Sequence, residues 1–412
     1  MIYLGSTPEV LAGATLRALG GEAAQILEPS ARLGGWAVTG ELWPGIEVPL
    51  QTHHAGGLSQ RIIDDLKLVE KHGLAFLDPP ALAHAPAPGA GTPSLTIWRE
   101  MDRTVEEIRR HSAEDAARWP DFCRSMRRHA AQLDELLQLD LAALLEQGLN
   151  ALPHKGRRGG DGRSKAARYL LAGSTWSELA PLIRFAARLR RQGGPEMMDF
   201  LRVLPMTFKE LMDEWFEAPL LRGLLGTCAV LNSHWGPQAA GTTLNFLYHL
   251  IDSPDGQYRN VRRIPGGLPA LLQALKSAAC DAGVEIALNA DIRGHFEREG
   301  PSPNGWTSAY TPHHTHLHLL PPSRVTPALL RRLRPQAPRP VTTYLHLLLQ
   351  DPSPPPDAES GHIVLPPSLE YIERASDAPK YGRSSENLLI DAFRADDQVL
   401  TLRLQYTHPS QS

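Results

Sequence analysis

The residues best placed for chemistry lie at the very start of the chain. The short apolar run Ile2-Tyr3-Leu4 ends at Gly5, and the frame Gly5-Ser6-Thr7-Pro8-Glu9-Val10 precedes a helical pattern. A strand–turn–helix loop of this kind can hold a pyrophosphate. It normally uses three glycines: one for the tight turn, one for close backbone approach and one for helix–strand packing. Here only Gly5 remains. Thr7 and Val10 place side chains at the other two positions, and Glu9 adds a negative charge beside a site meant for an anion. Glu28 closes the next apolar run, where an acid can accept hydrogen bonds from ribose hydroxyls. The alternatives are an ordinary turn at Gly5 and an exposed strand-end acid at Glu28.

Histidines form the second cluster. His313, His314, His316 and His318 fall in one segment, and strand alternation over Thr315 to Leu320 would put the last three on one face. A metal reading competes with simple surface imidazoles, and the lack of nearby carboxylates favours the latter. His53-His54 could move a proton, with packing as the alternative role. The chain has no Gly-x-Ser-x-Gly, Walker A, His-Glu-x-x-His or Cys-x-x-Cys motif. Cys123, Cys228 and Cys280 lie far apart, which suits a reducing compartment rather than a disulfide framework.

The elements that must position these residues follow from periodicity. A strand at residues 2–4, a helix from Val10 that stops at Gly20-Gly21, and a strand from Ala23 to Leu27 make a βαβ unit. The Pro- and Ala-rich stretch 79–93 reads as a connection, and 105–250 as mostly helical, interrupted by a basic, solvated loop at 155–164. Ile264-Pro265-Gly266-Gly267 opens an amphipathic helix over 268–282, followed by a strand at 284–288. Strands are expected at 315–320, 341–350, 361–365 and 399–406. With 412 residues, 42% apolar and 21% charged, the chain can build two domains. Its net charge of −3 argues against nucleic acid as a partner. No run reaches the roughly 18 apolar residues of a membrane-spanning helix, and the first residues lack a signal peptide's basic region. A cytoplasmic protein is the expectation.

The stretch after Glu28 extends the reading. Arg32-x-Gly34-Gly35 and Thr39-x-Glu41-x-x-Pro44-Gly45, continued by Leu50 to Leu58, resemble phytoene desaturase-like flavoproteins. The runs 199–217, 264–271, 283–292 and 367–375 resemble the same family in the same order. The closest likeness is to the pyridine nucleotide-disulfide oxidoreductase-like branch of the flavin amine oxidase and desaturase superfamily.

This resemblance implies an α/β protein with an FAD/NAD(P)-binding Rossmann-like domain from residues 1–78 and 262–310. Residues 79–261 and 311–412 would form an α+β substrate domain with a mostly antiparallel sheet. It implies FAD as cofactor, with Gly5, Glu28, Arg32, Gly34, Gly35 and the backbone of Ile292 around it. Family members continue past the point where this chain ends, with a Gly-rich segment that closes over the flavin. Two functions follow. One is an FAD-dependent oxidoreductase moving hydride between flavin and a hydrophobic or amphipathic substrate. The other is a cofactor-free pseudo-enzyme serving as a partner or scaffold subunit. A partner subunit that completes the flavin site combines them, and a lipid-like substrate leaves peripheral membrane contact open.

Overall fold

The computed structural model describes residues 1–50, 57–89, 91–139, 184–185, 187–191, 193–253, 256–260, 262–298, 305–333, 341–350, 362–394 and 399–407. Their strands, in chain order, begin with β1 (Ile2–Leu4), β2 (Gln25–Leu27), β3 (Thr39–Trp43), β4 (Ile46–Pro49), β5 (Ala81–Ala85) and β6 (Leu95–Trp98). After the helical middle come β7 (Glu285–Ala287), β8 (Trp306–Ser308), β9 (Val341–Leu348), β10 (Ile363–Val364), β11 (Leu389–Arg394) and β12 (Val399–Thr407).

β7-β2-β1-β8 form an all-parallel sheet. Its strands are three residues each and nearly all apolar in the middle, as expected where helices cover a face. Helix Pro8–Leu19 starts with Pro at its first turn, which fits because that N–H has no intrahelical partner. Its face of Val10, Leu11 and Ala14 packs against helix Gly267–Asp281, which presents Leu268, Leu271 and Leu275. The two chain passages out of this region pair with each other, Leu77 N–H donating to Arg263 C=O at 2.8 Å and the reverse at 2.9 Å.

The second sheet has the order β6-β5-β10-β11-β12-β9, with β5 and β10 parallel and every other pair antiparallel. The helical middle packs on it. Helix Ala113–Leu137 begins at Ser112, whose hydroxyl accepts from Asp115 N–H, and Glu114 and Asp115 suit the positive end of the helix dipole. Trp119, Phe122, Met126, Ala130 and Leu133 recur at helical spacing and are buried in the largest core cluster. The fold is therefore α/β with a Rossmann-like βαβ unit, joined to an α+β part with a mostly antiparallel sheet.

Two expectations are corrected. Residues 315–320 are not a strand. Thr311 caps a short helical turn at Pro312–His314 by accepting from His314 N–H, and the chain continues as a π-helix over Thr315–Leu319. The turn chemistry of Thr-Pro outweighs the alternation of His and Leu. Residues 79–93 are not only a connection. They contain β5, five consecutive buried residues whose alanines give no alternating signal. The histidines at 53 and 54 and the basic run at 155–164 lie outside the described residues.

Candidate functional site

The Gly5 loop forms where the sequence places it. Gly5 has φ +88°, open to glycine at low cost, and its N–H donates to Leu27 C=O at 2.9 Å. The crevice above the strand ends is where this sheet class binds ligands. Here the chain's own side chains cover the glycines at its edge. A Cβ on Gly5 would lie 3.0 Å from the Tyr310 ring and 3.1 Å from Ala309, so the bare face of Gly5 is covered from the end of β8. Thr7 Cγ2 stands 2.6 Å from the Cβ position of Gly35, and Leu272 Cδ1 stands 2.6 Å from that of Gly34. Trp36 Nε1–H donates to Glu9 Oε2 at 3.3 Å beside the first turn of helix Pro8–Leu19.

Glu28 is buried at the end of β2, and both oxygens are used. Ser6 O–H donates to Oε2 at 2.6 Å, and Ser30 N–H donates to Oε1 at 2.9 Å. The Ser6 hydroxyl also accepts from Gly34 N–H at 3.1 Å, which ties the two loops together. Burial, with the Glu28 carboxylate nearby, holds the Tyr310 phenol above its usual range. Arg32 is exposed, its N–H donating to Ser30 Oγ. Ile292 is buried among Ile2, Leu4, Leu27 and Phe296, and its N–H donates to Ala290 C=O. Gly5, Glu28, Gly34 and Gly35 thus come together, while Arg32 points to solvent and Ile292 sits in a small apolar cluster.

An FAD held as this fold implies would pass its pyrophosphate between the Gly5 loop and Gly34-Gly35. The residues present do not fit that group. Thr7, Tyr310 and Glu9 take up the space and the charge that a diphosphate needs.

A second feature was not anticipated from the sequence. A cavity of about 510 Å³ is lined by Trp36, Gly57 and Leu58 from the N-terminal part, by Leu137, Leu231 and Tyr248 from the helical middle, and by Tyr344, Asp391, Phe393 and Arg403 from the second sheet. Its floor is a buried polar cluster. Arg259 Nη2 donates to Asp391 Oδ2 at 2.7 Å and contacts His362 Nδ1 at 2.9 Å, while His362 Nδ1 lies 2.8 Å from Asp391 Oδ1. Burial and the Arg259 guanidinium push His362 below the usual imidazole range, and the same causes lower His249 on the cavity wall to about 4. Asp391 is held far below the usual carboxylate range by the charges of His362 and Arg259, against its burial.

The two histidines set a pH dependence. Both titrate lower when folded than the ordinary value of 6.5, so the unfolded chain takes up protons that the folded chain refuses. Stability is expected to fall as pH drops below 6.5, over a window that reaches about 4 for His249. Melting curves at pH 7 and 5 measure this, and His249→Gln should reduce the difference. An unchanged or rising melting temperature at pH 5 would contradict it.

Four rings, His313, His314 and His318 with Tyr310, touch in sequence after β8. Tyr310–His314 and His314–His318 centroids lie 5.1 and 5.0 Å apart. Among the described residues there is no group of three or more His, Cys, Asp or Glu side chains arranged to hold a metal ion. Among them, too, no helix is long and apolar enough to cross a membrane.

No family model matches the chain. It is similar to pyridine nucleotide-disulfide oxidoreductase domain-containing protein 2 of Rattus norvegicus, 28% identical over 289 residues, which is 67% of this chain and 45% of that protein. The Mus musculus protein of the same name is 27% identical over the same shares. The chain thus spans less than half the length of these relatives. A Rab GDI from Plasmodium falciparum superposes with a TM-score of 0.51 at 11% identity, over 100% of this chain and 83% of that one, a likeness of fold alone. The chain has a Rossmann-type α/β fold and a sequence similar to a protein named for an oxidoreductase domain.

Proposed function

We propose that this chain binds a small amphipathic molecule in the cavity above Arg259 and Asp391, and that it does so as a cofactor-free member of the fold, a partner or scaffold subunit. The observation that supports this most directly is the covered face of Gly5, with the Tyr310 ring 3.0 Å from where a Cβ would stand and Thr7 against Gly35 where a diphosphate would run. The cavity itself lies where three parts of the chain meet, a common position for ligand sites, and combines an apolar wall with a few polar groups.

A second reading is the FAD-dependent oxidoreductase, transferring hydride between flavin and a hydrophobic or amphipathic substrate. The similarity to oxidoreductase-domain proteins and the buried Glu28 at the end of β2 favour it. A bound flavin would supply the electron chemistry, and the chain's own contribution would be to orient substrate in the cavity.

One preparation separates the two. The purified protein is expected to be colourless, and to stay so after incubation with FAD and gel filtration. A yellow protein that releases FAD on denaturation would overturn the cofactor-free reading in favour of the oxidoreductase. Colour that appears only on co-expression with another subunit would mean that a partner completes the flavin site.

A further inference from the structure

The cavity floor carries more positive than negative charge. Arg259 and Arg403 are both 6% exposed, yet Asp391, at 5%, is the carboxylate they share. Asp391 gives both its oxygens to Arg259 and His362. Arg403 Nη2 donates instead to neutral acceptors, Asn232 Oδ1 at 3.0 Å and Gln405 Oε1 at 2.8 Å, with the Tyr344 phenol as another. Among the described residues no carboxylate oxygen lies within 4 Å of Arg403. A buried guanidinium without its own anion is costly, because neutral dipoles replace only part of its lost hydration.

Asn260 adds an independent sign of a missing ligand. It lines the same cavity, is 4% exposed, and its Oδ1 has no hydrogen-bond partner. That oxygen is an acceptor, so it marks an unfilled polar position that calls for a donor beside the guanidiniums, not a second contact for an anion. The carboxylates that line the cavity elsewhere, Asp134 and Asp252, act on each other, and Asp252 Oδ2 accepts from Gln60 N–H. They repel an anion and leave the Arg403 end as its place. The remaining wall, with Trp36, Leu58, Leu137, Ile251 and Phe393, is apolar.

We propose that Arg403, with Arg259, forms an anion subsite that takes the carboxylate head of a ligand whose apolar body lies along the rest of the cavity. The proposal rests on the reading that this cavity is the binding site, and names the class of molecule it takes. A carboxylate here meets a planar guanidinium fork in a water-poor site, where charge-assisted hydrogen bonds are strong. An alcohol keeps the apolar contacts but not the charge, and an amine brings the wrong charge to the Arg403 end.

The test compares dodecanoate, dodecanol and dodecylamine by calorimetric titration and thermal shift on the full chain. Dodecanoate is expected to bind at least roughly tenfold tighter than dodecanol, in line with a charged hydrogen bond's usual worth. Arg403→Met, which keeps the length of the apolar stem, should bring the two within about threefold of each other. Equal binding of acid and alcohol by the natural chain, or preference for the amine, would overturn the anion subsite while leaving the cavity as a binding site. Binding of none of the three would overturn both readings. The wild-type comparison stands even if Arg403→Met does not fold.

Discussion

Asp391→Ala is expected to destabilise the chain by about 3–5 kcal/mol, the usual loss when one partner of a buried ion pair is removed. The carboxylate accepts from Arg259 and pairs with His362, and faces Arg403 across the β11–β12 ladder. Without it, two guanidiniums face each other in a buried site with no anion between them. The double variant Arg259→Met/Asp391→Leu removes the pair together, and should recover most of that loss because apolar replacements need no partner. Urea unfolding midpoints measure both. A single variant within about 1 kcal/mol of the natural chain would show that water reaches the cluster and screens it. The pH dependence has the matching sign. The carboxyl is held far below its unfolded range, so its contribution is present above pH of about 4 and is lost as pH falls further. In Asp391→Ala this acid limb should be missing.

How much of this was visible in the sequence depends on whether a feature is local. The βαβ unit was legible because strand, turn and helix follow each other within residues 2–27, and the helix after Gly267 because its apolar positions repeat every three or four residues. β8 was missed because its three residues carry no alternation, and β5 because its alanines look like a linker. The covering of Gly5 was half legible: Thr7 and Glu9 could be read as wrong for a diphosphate, but Tyr310 arrives from 305 residues away through the pairing of β1 with β8. The cavity cluster was not seen, although one signal was available. In β12 the inward positions read Val399, Thr401, Arg403, Gln405, so the strand's buried face is polar from its second member onward. A buried face of that kind needs partners, and polar residues at alternate positions mark where they must be sought. The partners themselves come from residues 232, 259 and 391, and no spacing rule connects those.

The fold alone does not decide between the two functions. A protein named as a Rab GDI superposes on it, while the sequence is similar to a protein named for an oxidoreductase domain, so function has to be argued from the site. The two features lie apart in space. At the strand-end crevice Tyr310 and Thr7 cover the glycines and Trp36 meets Glu9, while the cavity beyond Trp36 carries buried charge. Trp36 lies at the boundary between them and lines the open side.

Trp119→Ala should lose about 3–5 kcal/mol, the range for removing a fully buried large aromatic side chain. Trp119 is 0% exposed and its ring packs 5.7 Å from both Phe122 and Phe216, at the centre of the helical core. Its loss also reaches the cavity. Trp119 Nε1–H donates to Gln257 Oε1 at 3.3 Å, and Gln257 Nε2–H donates to Arg99 C=O at 2.9 Å. Gln257 stands two residues before Arg259, so these bonds anchor the segment that carries the guanidinium to Asp391. Trp119→Phe separates packing from anchoring. It keeps an aromatic ring and loses the hydrogen bond, for a cost of about 1 kcal/mol from the bond plus a smaller cavity term. Urea midpoints rank the three chains, and the preference for dodecanoate over dodecanol reads the position of Arg259 in each folded variant. The expected order is natural chain, Trp119→Phe, Trp119→Ala, with the preference weakened in step. A Phe variant that keeps full stability and full preference would mean that Gln257 holds the segment through Arg99 alone.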